Sequence, residues 1–189
     1  MTLFDRRALP AVFVGIGMAL TIGVSFLLVI PIQPVYWFLA IPAGLLIGWY
    51  ANSRAGRRRG EWLPTLGNGL VAGVATGVTM AILLLAVRAL FFNLDNGYRD
   101  AAAGGSFTCQ TGADCVYQRY RERPADAQTL ADAGITDAAS FATYYWNGQL
   151  EFAETLALAA TLCGLLGGVL YGATRPRAPT PDGLTLPAA

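Results

Sequence analysis

Gly69-Leu-Val-Ala-Gly73-Val-Ala-Thr-Gly77 places three glycines four residues apart inside a long apolar segment. On a helix that spacing stacks them on one face. A glycine in a helix interior costs about 1 kcal/mol relative to alanine in water, so three in register need a compensating gain. A membrane supplies one, because lipid gives helices no hydrophobic reason to associate and small faces let backbones approach closely. The same spacing recurs around this segment. Ala40, Gly44 and Gly48 mark a second small face, Ala160, Gly164, Gly168 and Gly172 a third, and Ala11, Gly15, Ala19 and Gly23 a fourth. Either the four ladders meet inside one chain, or one of them turns outward to a partner helix or a second copy.

Composition agrees with this reading. The 189 residues are 54% hydrophobic and 13% charged, with a mean hydropathy of +0.46, which is too apolar for a water-soluble domain of this size. A net charge of +1 offers no basic face for nucleic acid. Every basic residue is arginine, a bias expected of a GC-rich genome, and there is no histidine. The missing histidine removes the commonest general base, the commonest metal ligand and the ordinary pH switch together.

The fold class that follows is all-α: an integral membrane four-helix bundle with an extracytoplasmic loop containing short helices. A head over residues 1–9 precedes helices one to three in 10–92. The first span runs from Pro10 to Ile30, long enough for about 30 Å of hydrocarbon. A cleaved signal peptide is the alternative, but the run exceeds the roughly 7–15 apolar residues of a signal core. Pro31-Ile-Gln-Pro34 breaks the helix. The second span opens on Tyr36 and Trp37 and closes on Trp49 and Tyr50, aromatic pairs suited to two interfaces, with Pro42 expected to kink it. The third runs from Trp62 to about Phe92.

Residues 93–149 are polar and of mixed charge, too long for a mere turn. They read as short helices over Ala113 to about Arg123, Ala125 to Ala133 ended by Gly134, and Thr136, as N-cap, to Trp146. The fourth span covers 150–174, and the proline-rich tail, 175–189, reads as disordered and cytoplasmic. Gly44-Leu-Leu-Ile-Gly48 and Gly164-Leu-Leu-Gly-Gly168 echo one another, so the bundle reads as two helical hairpins related by a tandem repeat, with convergence of common membrane residues as the alternative.

Arginine placement sets the orientation. Arg6, Arg7, Arg54, Arg57, Arg58, Arg59, Arg175 and Arg177 all fall on one side of such a bundle. The positive-inside rule makes that side cytoplasmic, with both termini inside, in a bacterial cytoplasmic membrane. Arg54, Arg57, Arg58 and Arg59 are also candidates for holding anionic lipid headgroups.

Little else carries chemistry. Cys109 and Cys115 lie on the oxidising side and are expected to form a disulfide, closing a short loop worth about 2 kcal/mol. A redox-active pair of the quinone-linked kind needs a relaying dithiol, and the first external turn has none. Arg88 sits about one turn inside the outer end of the third helix, where Glu151 and Glu154 offer an ion pair. No cluster has metal-ligand spacing, no loop cradles phosphate, and no cofactor is implied.

The leading expectation is a non-enzymatic scaffold or accessory subunit of a membrane complex, its partners being membrane lipids and another membrane protein or a second copy. A small transporter or channel subunit is the alternative, with a redox or lipid-modifying enzyme third.

Overall fold

The structure is a computed structural model that describes residues 4–28, 33–57, 60–94 and 112–174. All regular structure among them is helical. A short 3₁₀ turn, Arg6–Ala8, leads into α1 (Leu9–Leu28), followed by α2 (Gln33–Ala55), α3 (Trp62–Leu94), α4 (Ala113–Glu122), α5 (Pro124–Asp132) and α6 (Ala138–Thr174). Four helical stretches are long and apolar enough to cross a membrane: Arg6–Val24, Val35–Ala55, Trp62–Leu94 and Ala138–Thr174.

The ends of these helices have identifiable causes. Helix α2 continues through Pro42 without a break in assignment. It ends where Gly56 turns left-handed at φ +63°. There the Gly56 amide donates to the Ser53 carbonyl and the Arg57 amide to that of Asn52, a Schellman closure. Gly134, at φ +69°, closes α5 in the same way, with amide donation from Gly134 to Ala131 and from Ile135 to Leu130.

At α6 the expected elements change. Thr136 is not the cap: the Asp137 carboxylate accepts from the amides of Ala139 and Ser140 at 2.9 and 2.8 Å. Those donors, the Ser140 amide above all, hold the Asp137 carboxyl below its usual range. The short helix expected to stop at Trp146 and the span expected to start at Leu150 are one continuous helix of 37 residues. Asn147 and Gly148 weaken a helix without stopping it, since neither removes a backbone donor as proline does.

The chain divides into two compact units, Met1–Met80 with Leu156–Ala189, and Ala81–Thr155. In the first, the C-terminal half of α6 lies against both α2 and α3. A Cβ added at Gly44 would come within 2.6 Å of the Ala160 carbonyl oxygen, and one at Gly48 would meet that of Gly164. Contact positions rise together, so α2 and α6 run parallel. Against α3 they run in opposition: added Cβ atoms would come within 2.6 Å of the Gly164 oxygen at Gly69, 3.0 Å of Thr161 at Gly73 and 2.6 Å of Ala157 at Gly77. Gly168 faces the Thr65 carbonyl, and Gly172 the Trp62 ring.

Helix α1 rests on the same unit through smaller side chains, with Ala8, Ala11, Ile47, Ala51, Ala55 and Ala72 forming one buried cluster. The opposite faces carry Phe13, Phe38, Leu46, Leu158, Leu162 and Leu166, all exposed. So broad an apolar exterior is what lipid, not water, is suited to cover.

The second unit has an aromatic core. Phe92, Val116, Tyr117, Leu130 and Phe141 are buried together, with Tyr120, Tyr145 and Trp146 packed against them. Phe92 lies 4.9 Å from the Tyr145 ring and Tyr120 lies 5.1 Å from Phe141, centroid to centroid. Burial, with the Tyr145 and Asp126 charges adding to it, pushes the Tyr120 hydroxyl above its usual range.

Two alanine substitutions separate packing glycines from incidental ones. Gly48→Ala drives a methyl into the Gly164 backbone and is expected to cost about 1–3 kcal/mol. Gly17, whose added Cβ meets nothing within 4 Å, is expected to gain up to about 1 kcal/mol on the same change. Melting temperatures in detergent, moving in opposite directions for the two variants, are the check.

Candidate functional site

Buried polar residues of the first unit include Asn52, Thr65 and Asn68 at one end of α2 and α3, and Thr76 farther along α3. Asn52, Thr65, Asn68 and Thr76 are all at most 1% exposed. An amide buried among apolar groups without partners costs several kcal/mol, so each bond made here matters. Asn52 sits one turn beyond Gly48, in register with Gly44 and Gly48, which aims its side chain along the small face toward α3. Its Nδ2 donates to the carbonyls of Gly48 and Thr65, both at 3.0 Å, and its Oδ1 accepts from Asn68 Nδ2 at 3.3 Å. Asn68 Oδ1 in turn accepts from the Asp5 amide at 2.9 Å. Thr76 returns its hydroxyl to the Ala72 carbonyl.

Asp5 links that buried pair to an ionic clamp. One carboxylate oxygen accepts from the Arg7 amide at 2.9 Å, and the other from the Arg57 guanidinium at 2.8 Å. Arg57 also reaches Glu61 at 3.2 Å, while its carbonyl accepts from the Tyr171 hydroxyl at 3.3 Å. The Schellman turn at Gly56 is what folds Arg57 back into this position. Four segments meet here: the head, the end of α2, the start of α3 and the end of α6.

The expected site residues fare unevenly. Gly44, Gly48, Gly69, Gly73, Gly77, Gly164, Gly168 and Gly172 all face other parts of this chain. Arg57 is engaged by two carboxylates, Arg54 is exposed, and Arg58 and Arg59 lie outside the described residues. Arg88 makes no ion pair with Glu151 or Glu154 among the described residues. Both glutamates are exposed, where bulk solvent already solvates them, and the Arg88 Nε is buried without a hydrogen-bond partner. Cys115 is buried and is not a free thiol, whereas Cys163 is; Cys109 lies outside the described residues, as do Pro31, Ile32 and the tail. Among the described residues no group of histidine, cysteine, aspartate and glutamate could hold a metal ion.

Sequence reasoning missed Asn52, Asn68 and Asp5. A signal for the first was present, since an asparagine continuing a glycine register is a polar group on a packing face. No family model, curated protein or solved structure matches the chain.

Asn52→Leu removes the acceptor for Asn68 and the donor to Thr65 while filling similar volume. It is expected to destabilise the protein by about 1–3 kcal/mol, the penalty for stranded buried polar groups, read as a lower melting temperature in detergent.

Proposed function

We propose that the protein is a non-enzymatic integral protein of the bacterial cytoplasmic membrane, a four-helix bundle acting as a scaffold or accessory subunit of a membrane complex. One observation carries the reading. The small-residue faces of α2, α3 and α6 are spent on close contacts within the chain, and Asn52, Asn68 and Thr76 on hydrogen bonds within it. The interior is committed to packing, and the outward helix faces and the polar segment are what remain to meet a partner. In this reading the arginine-bearing ends are cytoplasmic and residues 93–149 lie outside. The disulfide between Cys109 and Cys115 belongs to it too, supported by a buried Cys115 that is not a free thiol.

The reading is tested by purification in mild detergent. It expects a fixed stoichiometry with one other membrane protein or a defined oligomer; a monodisperse single copy contradicts it. In intact cells, a membrane-impermeant maleimide is expected to label Cys109 and Cys115 only after reductant. Labelling before reductant contradicts the bridge, and labelling confined to inverted vesicles contradicts the orientation.

A further inference from the structure

We infer that Arg6, Arg7 and Arg54 form a binding site for the phosphodiester of an anionic phospholipid, assembled when Asp5 closes the head onto α2. The inference rests on the membrane reading above. All three arginines are exposed, and among the described residues none forms an ion pair. They are far apart in sequence, and the elements that carry them pack together. Ala8, directly after the Arg6–Arg7 pair, is buried with Ala51 and Ala55, the second of which neighbours Arg54. Asp5 fixes the turn by accepting from the Arg7 amide and from Arg57.

The charges at this end divide into two groups. Among the described residues the carboxylates are Asp5 and Glu61, and Arg57 engages both. Arg57 is thereby spent on the clamp, although its sequence neighbours made it look like a headgroup ligand. Among the described residues no carboxylate pairs with the three exposed arginines. Each offers a planar fork of donors matched to phosphate oxygens. Their place is also right: the head precedes α1 and Arg54 ends α2, so they stand at the same end of two apolar spans, where headgroups lie.

An assembled site behaves differently from a mere basic surface. Removing the Asp5 carboxylate makes this end more positive, and simple attraction to an anion then increases. In an assembled site the same change releases Arg6 and Arg7 from Arg54, and binding weakens.

The test uses the full chain in nanodiscs of phosphatidylcholine with or without phosphatidylglycerol, reading melting temperature and the lipid retained in native mass spectrometry. Phosphatidylglycerol is expected to raise the melting temperature of the wild type. Each substitution, Arg6→Gln, Arg7→Gln or Arg54→Gln, is expected to weaken its retention about fivefold, and Asp5→Ala to weaken it also. Should Asp5→Ala fail to fold, Asp5→Asn, which keeps an acceptor for the Arg7 amide, gives the same comparison. Unchanged or stronger retention in the Asp5 variant overturns the inference, as does indifference to the arginine substitutions. Equal stabilisation by inorganic phosphate alone overturns the lipid assignment in favour of a free-anion site. A wild type indifferent to phosphatidylglycerol yet resistant to alkaline carbonate extraction defeats this inference alone, whereas extraction by carbonate defeats the membrane reading itself.

Discussion

Backbone-to-backbone contact at α6 is the constraint on which the first unit depends. At Gly48 and Gly69 an added methyl meets the same Gly164 carbonyl, so one point of α6 is approached from two sides by two helices. Such proximity is available only where all three helices lack side chains at the crossing. The gain is dispersion between close atoms, each contact small and the sum large, which is the currency of association when lipid removes the hydrophobic term. The glycines therefore pay an entropic penalty at every position and recover it only together.

Close approach creates a second constraint at the end of the crossing. Near the end of α2 the side-chain amides of Asn52 and Asn68 are fully buried among packed helices and need partners inside the protein. Asn52 and Asn68 answer this by bonding across helices, and the Asp5–Arg57–Glu61 clamp closes the polar end with charge. The same clamp determines which arginines remain available outside. Packing, polar satisfaction and surface charge are thus linked through Gly56, which sets where Arg57 points.

Much of this was legible in sequence because period and composition act locally. Apolar length located four membrane-competent helices, whereas four-residue spacing left out Gly167, whose added Cβ would meet the Leu45 backbone. Gly134 was recognised as a helix stop from its residue type alone. What stayed hidden depends on tertiary proximity. Nothing near Asp5 announces Arg57, and Arg57 among its neighbouring arginines resembles a solvated charge. The join at Asn147 and Gly148 was missed because a polar pair looks like a boundary although the backbone crosses it unbroken.

The central claim is that α6 is registered against α2 in parallel and against α3 in opposition. Pulsed electron resonance distances between nitroxides at exposed positions measure this directly. The account predicts one common distance for the pairs Leu46/Leu162 and Tyr50/Leu166, and another common distance for Val74/Leu162 and Val78/Leu158. Distances that diverge within either set, by the roughly 6 Å that four helical residues span or more, would contradict it.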